Sequence, residues 1–383
     1  MKPNRFTGTA RRQRGISLIE MLVGLVIGIV CVLIILQVLS IWEARKRTTS
    51  SGNDAQISGT LGLYTIDRDL RLGGYGFGVA AADVMGCSVN AYNSARSPAV
   101  FQFNLQPVTI TKGADDGPDE IRALYGNSAF FVSSQPLTAS DAETKTLKSR
   151  EGFQPGDRLL VTGNSGTGVA CALVEVTGLA LADTTTLEHQ AAKTYSTPTG
   201  PKTSTMNPAG GTGTTFTTGR VFNLGPSPVE SVWRVNAVAG TLTRYNRMAQ
   251  ESASAVEVAS DVVTLKAQYG VDADGNGEIA SGEWTDAAPV DWTRVLAVRF
   301  AVLVRSRQYE RATASGTPTP VTAAAPVWAA GAFVMKNVDG TSDSGSSVTN
   351  ITGDEAVNNW RNYRYRVYES VVPLRNMIWG TAP

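Results

Sequence analysis

From Ile16 to Trp42 the chain reads ISLIEMLVGLVIGIVCVLIILQVLSIW, an almost unbroken apolar run with one charge, Glu20, behind a basic leader. At 1.5 Å per residue this run makes a helix of about 40 Å, enough to cross a hydrocarbon core of about 30 Å. A secretory signal has an apolar core of roughly 7–15 residues and a small-x-small cleavage site after it. Here the run is about twice that length and is followed by Glu43-Ala44-Arg45-Lys46-Arg47, so the span is expected to stay in the mature protein. A carboxylate costs about 2–3 kcal/mol at the centre of a span and less near its end, so Glu20, one turn in, reads as a functional group that needs a partner. Gly24 and Gly28 form a small-xxx-small pair, a spacing that lets helices approach closely.

Gly15-Ile16-Ser17-Leu18-Ile19-Glu20 resembles the class III signal of type IV prepilins and type II secretion pseudopilins: a short basic leader, a glycine, an apolar residue, and glutamate four residues further on. The resemblance implies cleavage after Gly15 by a prepilin peptidase on the cytoplasmic face, methylation of the new amine on Ile16, and assembly through the exposed helix. Glu20 would neutralise the terminal amine of a neighbouring subunit, an ion pair in a dry environment where either charge alone is expensive. Two positions depart from the family's habit: Ile16, where phenylalanine is commoner, and Gln37, near where major pilins often carry proline.

Beyond the leader and span, roughly 310 residues remain for soluble structure, enough for one large domain or two small ones. Abundant Gly, Thr, Ser and Ala with 17% charged residues suit an extracytoplasmic β-rich domain. The formal charge of +1 conceals an asymmetry: the leader holds Lys2, Arg5, Arg11, Arg12 and Arg14 and no acid, so its removal leaves the rest net acidic. A leader this basic is retained in the cytoplasm and sends the C-terminal bulk outward. Arg45, Lys46 and Arg47 oppose that bias without reversing it. Of three cysteines, Cys31 lies in the span as a small apolar residue. Cys87 and Cys171 form a candidate disulfide closing a loop of about 85 residues, worth about 4 kcal/mol in the chain-entropy model. The alternative is two separate buried thiols.

The helix is expected to continue to about Leu72, since Ile57, Leu61 and Tyr64 recur at helical spacing with Ile66 and Leu70 alongside. Asp67, Arg68, Asp69 and Arg71 fall near its end, before the breaker run Gly73-Gly74-Tyr75-Gly76-Phe77-Gly78. From Val79 the periodicity changes to two. Strands are expected at Val100 to Thr111, Glu120 to Tyr125, Arg158 to Thr162, Ala170 to Thr177, Ser231 to Val238, Leu242 to Met248, Val262 to Gln268, Arg294 to Arg305 and Tyr363 to Leu374, with a hairpin at Ala239-Gly240. Thr194 to Gly219 and Gly316 to Ser347, rich in Thr, Ser, Gly and Pro, read as long surface loops. The organisation is then a leader at 1–15, the membrane half of a helix at 16–42, its amphipathic half at 43–72 and a β-rich head at 79–383, an α+β pilin-like fold.

The acidic-arginine pair and glycine-tyrosine turn at the helix end resemble the PilW family of minor pilins. So do the strand from Arg294 to Ser306 and the C-terminal Tyr363-Arg364-Tyr365-Arg366-Val367-Tyr368-Glu369-Ser370 with Leu374-Arg375-Asn376. The similarity touches the N-terminal third and the last quarter of the chain.

Catalytic chemistry finds little support. His189 stands in Leu187-Glu188-His189-Gln190 without a nucleophile elbow; Ser165, in Gly163-Asn164-Ser165-Gly166, reads as a turn. Zinc spacing is missing, and Gly73 to Gly78 neither follows a strand nor opens a helix as a phosphate loop does. One segment does fit a metal: Asp272-Ala273-Asp274-Gly275-Asn276-Gly277-Glu278-Ile279-Ala280-Ser281-Gly282-Glu283 matches the twelve-position calcium loop. Side-chain oxygens come from Asp272, Asp274 and Asn276, a carbonyl from Glu278 and a bidentate carboxylate from Glu283, with Gly277 for the sharp turn. Its flanks read as strands, giving an isolated structural Ca2+ loop; the alternative is an acidic hairpin turn. In Tyr363-Arg364-Tyr365-Arg366 the tyrosines share one strand face and the arginines the other, so nucleic acid is not expected as a partner.

The resemblance thus implies a non-enzymatic minor pilin of a type IV pilus that primes assembly and stands at or near the tip, supporting adhesion or twitching motility. Its partners would be other minor pilins, the major pilin, a pilus-tip adhesin and the prepilin peptidase. It would begin as a single-pass inner-membrane protein with a periplasmic head and pass to the cell-surface fibre. The competing readings are a J-type pseudopilin of type II secretion and a membrane-anchored calcium-dependent surface-binding protein.

Overall fold

The structure, a computed structural model, describes residues 15, 17–80, 82, 84–130, 134–163, 170–181, 183–198, 200–214, 216–249, 255–310, 319–342 and 354–378. The chain divides into two compact units, 1–52 and 53–383.

Helix α1 (Leu18–Leu72) begins in the first unit. Its stretch Leu18–Ser40 has a mean hydropathy of 3.1 and is not buried at all, by length and composition able to cross a membrane.

In the second unit the remaining turns of α1 pack on a β-rich head. Along the chain the strands are β1 (Ser88–Tyr92), β2 (Val100–Asn104), β3 (Val108–Thr111), β4 (Glu120–Tyr125), β5 (Gln135–Ser140), β6 (Thr144–Leu147), β7 (Arg158–Gly163), β8 (Cys171–Glu175), β9 (Gly178–Leu179), β10 (Thr186–Glu188) and β11 (Thr194–Thr197). There follow β12 (Gly200–Thr203), β13 (Gly219–Asn223), β14 (Val229–Asn236), β15 (Thr241–Asn246), β16 (Val256–Ala259), β17 (Val262–Val271), β18 (Trp284–Thr285), β19 (Val295–Arg305), β20 (Val327–Trp328), β21 (Gly331–Ala332) and β22 (Tyr365–Pro373). Two short helices, α2 (Asp354–Asn358) and α3 (Arg375–Ile378), come near the end. Among the described residues these strands form a nine-stranded sheet β2-β1-β8-β7-β13-β5-β6-β10-β9, a five-stranded sheet β16-β15-β14-β4-β3, a four-stranded sheet β18-β17-β19-β22, and two small ribbons.

Strand β19 shows why a long apolar run becomes a central strand. Phe300, Val302 and Val304 enter the main core, while Ala301 and Leu303 face a second cluster with Phe333, Met335 and Trp360. Covered on both faces, the strand has no polar alternation to show.

Several expectations need correction. The stretch expected as one strand from Val100 to Thr111 is two: β2 belongs to the nine-stranded sheet and β3 to the five-stranded one. The switch comes at Leu105-Gln106-Pro107, where Leu105 is buried and proline has no N–H to continue a ladder. The segment 194–219 is not a long surface loop, for it contains the β11–β12 ribbon and the buried residues Ser204, Met206, Asn207 and Phe216. Buried Glu175 on β8 holds it, accepting from Tyr195 Oη at 2.5 Å, Ser204 Oγ at 3.0 Å and the backbone N–H groups of Thr205 and Met206 at 3.0 Å. The described part of 316–347 likewise holds the β20–β21 ribbon and buries Phe333 and Met335 against β19. The expected apolar stripe on α1 holds at Ile66 and Leu70, both buried, but not before them: Ile57 and Tyr64 are 66% and 65% exposed and Leu61 is exposed with them. The packed face is Ala55, Ser58, Gly59, Gly62, Ile66, Asp69 and Leu70, whose small residues let the helix come close.

The disulfide is present, between Cys87 and Cys171, 84 residues apart. It fastens the one place where β1 runs parallel to β8, with Val89 opposite Cys171.

Candidate functional site

At the N-terminus, Ile16 and residues 1–14 lie outside the described residues. Gly15 is exposed, and α1 starts two residues beyond Ile16. Glu20 stands exposed in the first turn, where its Oε2 accepts from the backbone N–H of Ser17 at 3.2 Å. A carboxylate suits this end of a helix, whose first N–H groups lack partners and carry partial positive charge. Gly24 and Gly28 have open space where a Cβ would go, and Cys31 is an exposed free thiol. The first unit therefore offers an apolar rod, unburied among the described residues, with one acid at its head.

At its other end α1 meets the residues expected to mark the helix terminus. Asp69 is buried and accepts from Ser231 Oγ at 2.5 Å, Arg244 Nε at 2.8 Å, Trp233 Nε1 at 3.0 Å and Tyr125 Oη at 3.1 Å. Burial, together with the neighbouring Asp69 charge, pushes the Tyr125 phenol up to about 12. Burial alone would weaken the Arg244 guanidinium, but Asp69 holds it above its ordinary range. Asp67 faces outward more, paired with Arg71 at 2.5 Å and accepting from Ser370 Oγ at 3.1 Å. Asn376 closes the helix: its side-chain amide donates to the carbonyls of Leu72 at 3.2 Å and Gly73 at 3.1 Å. The chain then turns away through Gly74, at φ +83°, whose N–H reaches Leu124 O at 2.9 Å. Gly78 lies so near Asn376 that a Cβ would fall 2.3 Å from its carbonyl oxygen. Ser231, Trp233 and Arg244 lie in strands expected from the sequence, but nothing in their spacing marks them as the donors that a buried carboxylate on a helix calls for.

The acidic loop lies between β17 and β18, strands on both flanks. Carboxylate oxygens of Asp272, Asp274 and Glu283 come within 4.8 Å of one another. Asp272 accepts from the N–H groups of Gly275, Asn276 and Gly277 at 2.7–3.0 Å. These donors outweigh burial and hold its carboxyl below the usual range. Glu283 is held low by N–H bonds from Ala280 and Ala273. Gly277 takes φ +82°, the left-handed turn that the spacing requires. The donor set is all oxygen, as a hard cation wants. Asn276 turns its carbonyl oxygen to the Glu278 N–H and its amide nitrogen to Asp274, and Glu278 is exposed.

His189 is buried on the nine-stranded sheet with Lys145, Nζ to Nε2 2.8 Å. Burial, then the Lys145 charge, lowers the imidazole to about 3; burial lowers Lys145 to about 8. Ser165 lies outside the described residues. Arg364 pairs with Glu310 at 2.6 Å and Tyr363 is buried.

Residues 232–376 match the family model of Type IV Pilus-assembly protein W, and residues 10–36 match that of the Prokaryotic N-terminal methylation motif. No curated protein and no solved structure matches the chain. The first match ends on Asn376, the residue that caps α1, and spans the β17–β19–β22 strands with the Trp233 and Arg244 partners of Asp69. With the methylation-motif match lying over the exposed apolar stretch of α1 and the PilW match covering strands that hold the far end of the same helix, the two matches support a type IV pilin of the PilW family.

Proposed function

We propose that this pilin is a minor one: cut after Gly15 and methylated on Ile16, it leaves the membrane for the pilus, primes assembly with other minor pilins and the major pilin, and stands at or near the tip. What supports the reading is the lone acid Glu20 in the first turn of α1, at the head of the apolar stretch Leu18–Ser40, which is unburied among the described residues. An unpaired carboxylate in a packed apolar bundle is strongly disfavoured, so the amine of an adjacent Ile16 would fix both partner and axial register. The large head, with no room inside a helical bundle, would remain outside and cap growth. A role in adhesion or twitching follows from tip position, with a tip adhesin as its neighbour. A Glu20→Ala strain is expected to keep the protein in the membrane and lose surface pili; normal piliation would refute the reading.

The convergence of Asp272, Asp274 and Glu283 supports a second role, a structural Ca2+ held by the β17–β18 loop. Trp284 follows Glu283 directly and stacks on Arg299 at 4.8 Å, so it reports on the loop. Millimolar calcium should change Trp284 emission, a change lost in Glu283→Gln and Trp284→Phe. No heat of calcium binding by calorimetry would end the proposal.

A further inference from the structure

Asn276-Gly277 is the only Asn-Gly pair in the chain, and it stands exposed in the loop between β17 and β18. Asparagine before glycine is the pair best suited to cyclise, because the next backbone nitrogen, unshielded by a Cβ, comes close to the side-chain carbonyl carbon. Gly277 takes φ +82°, and nothing lies near the place its Cβ would occupy. The loop holds each part of that reaction in a hydrogen bond. The Gly277 N–H, whose nitrogen is the nucleophile, donates to Asp272 Oδ2 at 2.9 Å. A charged acceptor draws that proton away from the nitrogen. Asn276 Oδ1, where negative charge develops under attack, accepts from the Glu278 N–H at 2.7 Å, as an oxyanion does from its donor. The leaving group, Asn276 Nδ2, faces Asp274 Oδ2 at 3.0 Å.

We propose that Asn276 deamidates in the folded protein, turning the one side-chain amide of this loop into a carboxylate. The Gly277 nitrogen bonds to Asn276 Cγ, the Cγ–Nδ2 bond breaks, and the Gly277 proton passes through solvent to the departing nitrogen, which leaves as ammonia. Water then opens the succinimide at either carbonyl to give aspartate or isoaspartate, so the step needs no reagent but water. The aspartate product adds its charge to Asp272, Asp274 and Glu283, whose carboxylates already converge. Resting on the reading of this loop as a Ca2+ site, that charge should tighten calcium binding about tenfold, since affinity in such loops follows the charge of the ligands.

The test incubates full-length protein in a neutral detergent at neutral pH and follows the mass of the proteolytic fragment that contains residue 276. A synthetic peptide of residues 268–286 serves as the unstructured reference. Asn276 in the protein should convert at least as fast as in the peptide, with ammonia released in step. Asn276→Gln, whose longer side chain does not close this ring, should leave the fragment unchanged. Conversion clearly slower in the protein than in the peptide would overturn the proposal, because the hydrogen bonds would then protect the amide and not activate it. Calorimetry of Asn276→Asp keeps the two readings apart. Calcium binding tighter than that of the amide form supports the gain in charge, and unchanged affinity refutes it. If neither form takes up calcium, the Ca2+ reading fails while the mass measurement still decides deamidation.

Discussion

Asp69 is one carboxylate with four donors, and Asp67, two residues earlier and so on the other side of the helix, is the same residue type with little at stake. Removing the first strands a partly buried guanidinium, an indole N–H and two hydroxyls; removing the second opens a surface pair. Asp69→Ala should therefore lower the stability of the head by about 3–5 kcal/mol, whereas Asp67→Ala should cost under about 1 kcal/mol. Urea denaturation followed by circular dichroism separates them. His189 yields a pH prediction. Its folded pKa, about 3 against 6.5 for the free side chain, means the unfolded chain takes up a proton that the folded one refuses. The stabilisation is complete above pH 6.5 and is lost as pH falls toward 3, about 2 kcal/mol of it between about pH 7 and 5. His189→Gln should flatten that part of the stability curve. From sequence alone, Asp69 was readable as a marker of the helix end but its partners were not, because Ser231 and Arg244 are more than 160 residues away along the chain.

At the scale of elements, the strands readable in the sequence are those whose alternation or apolar run is long enough to declare itself, such as β4, β7, β14, β15 and β19. Two-residue strands such as β9, β18 and β20 carry no period at all and exist only because a neighbour pairs with them. The excursion at 194–219 has a loop-like composition; what holds it is tertiary, the buried Glu175 carboxylate with Asn207 and the packing of Met206 and Phe216. Helix α1 was readable in extent and at Ile66 and Leu70, which are buried as the stripe requires, but not earlier, where Ile57, Leu61 and Tyr64 are exposed and the packed face follows small residues. A Cβ on Gly59 would lie 2.1 Å from the Tyr368 ring. Gly59→Val should destabilise the head by about 1–3 kcal/mol through overpacking, and Ile57→Ala should leave its thermal midpoint within error. That contrast assigns the buried face.

For the whole molecule, the disulfide closes a loop of 84 residues at the parallel β1–β8 pair. Its loss in Cys171→Ser should cost about 4 kcal/mol, read as a shift of the urea midpoint equal to that produced by reducing the native protein. The pilin character was readable from one end, in a motif of six residues and the apolar run behind it, since that local stretch is the one the methylation-motif model matches. The acidic loop was equally local, and its carboxylates do converge, although Asn276 turns its amide and not its oxygen toward them. By contrast, the second cluster on β19 joins residues from 301 to 360 and had no linear trace. Processing at Gly15 is the step on which the proposed passage from membrane to pilus depends, and intact-mass measurement of the protein purified from membranes tests it most directly. A mass beginning at Ile16 and carrying one methyl group is predicted. A mass that retains Met1 to Gly15, from cells bearing normal pili, would contradict it.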